Sequence, residues 1–248
     1  MTVIKQYGLE RSGTNAIRGL VEVNFERCTV LSNTLGHKHL EASWETIQGS
    51  LQELKNSGHQ ERGWHLEDVD DAVRTKTLGF IFSIKDPVSW LWSYYRYARE
   101  KARRRDRHAS YVLTDDLASR YLASWGKRMQ SWLEFVEENE ESTTTVQHEE
   151  LLRSPLQVLG DIKNQLDLSW SSGNRELFLE GYAKRGIESQ RGSELIDNSK
   201  KFDRDYHLNG QWKDEMPKKV FIQAENYMHD FFKRDAKFAK YFDLAHLG

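Results

Sequence analysis

Several things are scarce in this chain. Its 248 residues include one cysteine, Cys28, which excludes an intrachain disulfide and any thiolate-rich zinc site. A reducing, cytoplasmic setting is expected from that count. No apolar run approaches the roughly 18 residues needed to cross a bilayer. The start, Met1-Thr-Val-Ile-Lys-Gln6, has no basic segment followed by an apolar stretch, so no secretory signal is expected. The net charge is only −2, which argues against whole-protein attraction to nucleic acid or to an acidic membrane but leaves room for local basic patches. There is no internal repeat and no low-complexity linker.

What is present suffices for a packed core. Hydrophobic residues make up 38% and charged residues 30%, but 8 Trp, 10 Tyr and 11 Phe make global disorder improbable. The length lies between one and two domains, and α/β folds of this size are often single, so residues 1–248 are read as one domain.

The pattern alternates strand and helix. Val3 to Leu9 reads as a short strand, followed by a turn, Glu10 to Asn15. Ile17, Leu20, Val21 and Asn24 then fall at helical spacing, predicting a helix to about Phe25. Arg27 to Leu31 reads as a second strand and Leu40 to about Lys55 as a helix. Thr77 to Ile84 is a continuous apolar run, the habit of a parallel strand covered on both faces. Asp86-Pro87 has the signature of a helix start, with Asp as cap and Pro at the first helical position. Residues 113–140 carry a long helical pattern, Thr143 to Gln147 is β-rich, and Ser154-Pro155 opens a helix toward Leu166. This order predicts an α/β fold, a parallel β-sheet flanked by helices. Gly181 to Gln211 is the least regular stretch, either a loop over a site or plain surface.

Two junctions carry chemistry. Gly8-Leu9-Glu10-Arg11-Ser12-Gly13 has the glycine spacing of a phosphate-binding loop between a strand and a helix. There, backbone N–H groups and the helix dipole favour an anion. The ATP and GTP version continues with Lys and Ser or Thr, but here Thr14 and Asn15 follow, so Mg-ATP is a poor fit and Arg11 supplies the charge. An ordinary tight turn is the competing reading. The second junction is Lys85-Asp86-Pro87, with Ser93 eight residues after Lys85. A cation at a strand end with a hydroxyl two turns into the next helix can hold a second phosphate. Alternatively, Lys85 is solvated and Ser93 is only a helix-face residue. Trp90, Trp92, Tyr94, Tyr95 and Tyr97 suit packing better than ligand stacking.

Together these segments resemble the PAPS-dependent sulfotransferases, PAPS being 3′-phosphoadenosine 5′-phosphosulfate. Arg11-Ser12-Gly13-Thr14, with Asn15 after it, is similar to the family's [K/R]-S-G-T loop for the 5′-phosphosulfate. Lys85-Asp86-Pro87 with Ser93-Tyr94-Tyr95 is similar to its R-[ND]-P…S motif for the 3′-phosphate. Val146 to Pro155 looks like the family's later strand-to-helix segment, which serves the fold more than the chemistry. The matched order spans residues 3 to about 167, and the C-terminal third matches only loosely. Three departures stand out. Lys85 replaces arginine and loses the bidentate fork, and Ala16 stands where cytosolic members carry an adenine-stacking aromatic. The R-K-G phosphate element has only Arg185-Gly186 and Arg191-Gly192 as candidates.

The resemblance implies a P-loop-type sulfotransferase fold and metal-independent transfer of a sulfuryl group. The donor would be PAPS and the acceptor a hydroxyl or amine of a small molecule or glycan. It places Arg11, Ser12, Gly13, Thr14, Asn15, Lys85 and Ser93 at the donor, with Arg11 also stabilising the leaving phosphate. Gly36-His37-Lys38-His39-Leu40 lies where some bacterial members carry Trp-Lys-His-Gly. His39 is the expected general base and Lys38 the expected stabiliser of the sulfuryl group, with His37 or Glu41 as alternative bases. A role-free surface turn or a His37–His39 metal site are the competing readings of this segment. Rival functions are a P-loop kinase, a non-catalytic PAPS- or nucleotide-binding protein, and a scaffold that has lost the donor. Arg99 to His108 is a basic run, either a draw for an anionic acceptor such as a polysaccharide or, more commonly for such runs, a solvated helix end. Trp64-His65 reads as pocket lining or core, and Cys28 as buried rather than reactive.

Overall fold

A computed structural model describes residues 1–57, 64–108, 110–173 and 204–242. Four strands form one parallel sheet: β1 (Thr2–Gly8), β2 (Cys28–Leu31), β3 (Gly79–Ile84) and β4 (Thr143–Gln147), in the order β2-β1-β3-β4. The chain passes from β2 back across β1 to β3, so the strand order reverses between β1 and β3. In open parallel sheets the crevice beyond the strand ends at such a reversal is where ligands bind. The register sets Gly8 beside Ser83 and Ile84 beside Gln147. The segments leaving β1, β3 and β4 therefore emerge side by side.

Both faces of the sheet are covered, as the unbroken apolar run of β3 predicts. Phe80, Phe82 and Ile84 join Val3 and Tyr7 in a core shared with α4 (Pro87–Arg105) and α5 (Asp115–Glu138). Ile81 and Ile4 face the opposite way, onto α1 (Thr14–Asn24), α6 (His148–Arg153) and α7 (Pro155–Gln165). Asp86 caps α4 as expected, its Oδ1 accepting from the N–H groups of Val88 at 2.9 Å and Ser89 at 2.8 Å. Thr114 caps α5 through the Leu117 N–H.

The helix expected from Leu40 begins later. α2 spans Trp44–Ser57 because the Ser43 hydroxyl accepts from the Thr46 N–H at 3.1 Å and fixes the start there. Leu40 stays in a turn, its carbonyl accepting from the Trp132 indole at 2.8 Å. The remaining helices were not anticipated from periodicity: α3 (Leu66–Arg74), α8 (Arg204–Leu208), α9 (Trp212–Glu215) and α10 (Lys218–Arg234). The last buries Val220, Ala224, Met228 and Phe231 along one face. Of the irregular stretch 181–211, residues 181–203 lie outside the described residues, as do Arg185-Gly186 and Arg191-Gly192, and α8 occupies part of the rest. Trp64 is core, and His65 is exposed just before α3. Cys28 is half-buried, and burial with Glu22 nearby pushes its thiol up to about 12.

Candidate active site

The loop after β1 is a tight turn with left-handed backbone at its centre. Arg11 and Gly13 both adopt left-handed backbone, at φ 70° and 84°. For arginine this costs about 1 kcal/mol, the kind of strain found at ligand-holding turns. Gly13 precedes α1, whose first turn carries no acidic residue and has no side-chain cap. The positive end of the helix is thus open to an outside anion. Gly8 is dictated by close approach: a Cβ there would stand 2.5 Å from Thr14 Cγ2 and 2.8 Å from Ser83 Cβ. The Ser12 hydroxyl donates to the Leu9 carbonyl at 2.8 Å, and Ser83 donates to the Ser12 carbonyl. Gln6 donates to the Thr14 carbonyl at 2.7 Å. Ser12 and Thr14 are buried, whereas Arg11 and Asn15 are exposed at the mouth, Arg11 lying 5.8 Å from the centre of the Tyr97 ring.

The turn containing Lys38 and His39 docks on the first residue of that loop. The Gly8 N–H donates to the Lys38 carbonyl at 3.0 Å, and His39 Nδ1 is hydrogen-bonded to the Gly8 carbonyl. Lys38 Nζ reaches over to Asn15 Oδ1 at 2.8 Å. Partial burial, and secondarily Arg18, bring the Lys38 ammonium down to about 8. Partial burial also holds His39 below the usual imidazole value, against the pull of Glu10 and the Gly8 carbonyl. His37 is exposed, and its Nδ1 accepts from the His39 N–H at 3.3 Å. Glu41 points outward into an ion pair with Lys127 at 2.7 Å, which keeps its carboxyl below the ordinary range. That pairing makes it a weaker base than a neutral imidazole.

At the end of β3, Lys85 is 1% exposed, so it is not a solvated cation. Its Nζ donates to Ser93 Oγ at 3.2 Å and lies 4.0 Å from Glu149 Oε1. Burial lowers its pKa, while Glu149 and Asp86 oppose the shift. Ser89 Oγ bridges this group, donating to Asp86 and lying 3.3 Å from Glu149 Oε1. Trp90 and Trp92 are packed in the core, as their spacing suggests, and Tyr94 and Tyr97 are half-buried.

Three site residues were not singled out from sequence: His148, Glu149 and His207. His148 opens α6 at the end of β4, and a Cβ on Gly13 would stand 3.0 Å from its ring. It is buried, and its Nδ1, 3.6 Å from Glu149 Oε1, makes no hydrogen bond among the described residues. Its ring meets His207 of α8 edge to face at 5.6 Å. Burial, then the nearby Lys85, keep both imidazoles neutral, with His207 held down at about 3. The available signal was positional: a His-Glu pair immediately after a parallel strand lies at the ligand-binding edge of such a sheet. Among the described residues, no group of three His, Cys, Asp or Glu side chains is placed to hold a metal ion. A cavity of about 240 Å³ beside β4, lined by Thr145, Gln147, Glu150 and Lys240 to Phe242, contains none of the loop residues.

No family model and no curated protein sequence matches this chain. Solved structures do match. A mouse sulfotransferase, SULT7A1, solved in complex with PAP, aligns over 93% of this chain and 84% of its own, with a TM-score of 0.53 at 15% identity. The chain has the sulfotransferase fold. The sulfotransferase domain of the Synechococcus PCC 7002 olefin synthase also aligns, over 91% of this chain and 94% of its own, at 13% identity and a TM-score of 0.46. Within a sulfotransferase fold, the described loop, strand-end lysine and docked His turn share one edge of the sheet. No described helix is long and apolar enough to cross a membrane.

Proposed function

We propose that this protein transfers a sulfuryl group from PAPS to a hydroxyl or amine of an acceptor. One observation carries the reading: two groups suited to an anion stand at neighbouring strand ends. They are the left-handed Arg11–Gly13 loop after β1 and the buried Lys85–Ser93 pair after β3. A donor with two separated phosphates matches such a pair, whereas Mg-ATP would call for a loop lysine that this chain lacks. Two further features support a phosphate-bearing ligand. Gly8 lets the loop pack closely on Ser83, and the Cδ2–Nε2 edge of the buried His148 ring borders Gly13, so an imidazole stands beside the loop.

PAPS supplies an activated sulfuryl group and a phosphate leaving group. The loop N–H groups, Thr14 and Asn15 hold its 5′ end, and Ser12 keeps the loop in shape. Lys85 and Ser93 hold the 3′-phosphate. His39 takes the acceptor proton at Nε2, Lys38 faces the charge of the sulfuryl oxygens, and Arg11 takes up charge developing on the departing phosphate oxygen. These roles are positional and electrostatic, as in phosphoryl transfer. The direct test is calorimetric titration with PAP against ADP in EDTA. Tight PAP binding with much weaker ADP binding supports the reading, and absence of PAP binding overturns it.

A further inference from the structure

Helix α4 carries a row of side chains that the donor reading leaves without a role. Trp90, Tyr94, Tyr97, Lys101 and Arg105 recur at three- and four-residue spacing and so share one stripe of the helix. The stripe starts at the loop, where the Trp90 indole donates to the Glu10 carbonyl at 3.0 Å and Tyr94 stacks on Trp90 at 5.0 Å. Two cations stand over the Tyr97 ring, Arg11 of the loop at 5.8 Å and Lys101 at 5.7 Å. Beyond it the helix is exposed and basic. From Arg96 to Arg107, seven lysines and arginines stand against two carboxylates. That local surplus of five positive charges sits in a chain of net charge −2. Arg104 pairs with Glu100 at 2.8 Å and Arg96 with Glu215 at 3.7 Å. Lys101, Arg103, Arg105 and Arg107 form no ion pair among the described residues.

A solvated helix end explains cations that are scattered or paired. It does not explain a row that begins at the reacting loop with aromatic rings and continues outward as exposed, unpaired cations. At 1.5 Å per residue, Tyr97 to Arg105 spans about 12 Å. A small monoanion would reach only one rung. We infer that the acceptor is an acidic oligosaccharide whose chain lies along this stripe. Its hydroxyl sits at the Arg11–His39 end, a sugar ring lies near the tyrosines, and its carboxylates or sulfates meet Lys101 and Arg105. The inference rests on the sulfuryl-transfer reading. It is favoured over nucleic acid because the basic stripe is only about 12 Å long and the remainder of the chain is net negative, so a long, densely charged polyphosphate finds no continuing track, whereas a short acidic oligosaccharide lies within the stripe.

The test uses the whole protein, a short oligouronic acid and its neutral methyl ester, with transfer from PAPS and oligosaccharide binding both measured. The expected result is sulfation of the acid at least tenfold better, in kcat/KM, than of the ester. Lys101→Glu with Arg105→Glu should cost the acid tenfold or more at low salt and much less at high salt, where exposed charges are screened. Lys218→Glu with Lys233→Glu, the same charge change on α10, should leave it within about twofold. PAP affinity is measured on every variant and separates the two readings. PAP binding with equal use of acid and ester, with neither bound, or with no effect of the stripe variant overturns the acceptor inference alone. Loss of PAP binding in the unaltered protein overturns the donor reading, and the acceptor role with it. Equal competition by a single-stranded oligonucleotide would make the stripe a general polyanion surface and also overturn the inference.

Discussion

His39 Nδ1 is hydrogen-bonded to the Gly8 carbonyl, and because a carbonyl only accepts, the ring must donate from Nδ1 and keep Nε2 as its basic nitrogen. The Gly8 N–H in turn donates to the Lys38 carbonyl, so two hydrogen bonds tie the turn to the end of β1. His39→Ala is expected to lower kcat by about 10²- to 10³-fold, the usual share of a general base, while PAP affinity stays within about twofold. Steady-state kinetics with calorimetry checks this, and a surviving kcat would place the base elsewhere.

The pH profile of kcat/KM follows from the same pair. His39 must be neutral to accept a proton and its pKa lies below 6.5, so activity rises on an acid limb below that value. Lys38 must be charged to face the sulfuryl oxygens and loses its proton around 8, so activity falls on a basic limb there. Lys38→Met should remove the basic limb and leave the acid one. A basic limb that persists in this variant belongs to another group.

Arg11 sits at φ 70°, a conformation glycine adopts without strain. Arg11→Gly is expected to hold or raise stability by up to about 1 kcal/mol while lowering kcat/KM by about 10²-fold or more. Thermal unfolding and turnover measured on the same sample would show stability and activity moving apart. A fall in both would mean that Arg11 serves the fold.

Lys85→Ala should cost stability, since it removes a buried side chain together with its hydrogen bond to Ser93, by about 2 kcal/mol. The informative quantity is therefore a ratio. PAP should lose about 10- to 100-fold in affinity, the worth of a charged hydrogen bond, and AMP, which lacks the 3′-phosphate, far less. Equal losses for both nucleotides would remove Lys85 from the 3′-phosphate.

His148 and His207 are neutral in the folded protein, with pKa values below the unfolded 6.5. The unfolded chain therefore binds more protons as pH falls, and stability drops from about pH 6.5 toward about 3, where His207 itself titrates. His207→Gln should flatten that slope in urea melts between pH 6.5 and 4. PAP added at pH 6 should be bound with proton uptake, since a phosphate beside His148 favours the imidazolium. Calorimetry in buffers of different ionisation enthalpy reads that uptake directly.

The elements that declare themselves through local chemistry were legible in the sequence: the apolar run of β3, the Asp86 cap, the glycines at 8 and 13, and the Lys85–Ser93 offset. Each is marked in the sequence by residues within eight positions of one another. What stayed hidden depends on contacts far along the chain. His148 and His207 come from different helices and acquire meaning only when β4 is laid beside β3. The Lys101 to Arg105 cations were visible as a run, but their alignment with Arg11 through Tyr97 was not.

Lys5 lies in the middle of β1, fully buried, and gives its ammonium to the carbonyls of Ser32 at 2.9 Å, Thr34 at 2.9 Å and Gly36 at 2.5 Å. The backbone after β2 wraps this cation much as a crown ether wraps potassium, except that the ion is tethered to the neighbouring strand. The His37–His39 turn therefore takes its approach to the site from the sheet as well as from its own hydrogen bonds. Any acylation of that amine would erase the template, and the turn would lose its seat on Gly8 although its own sequence was untouched.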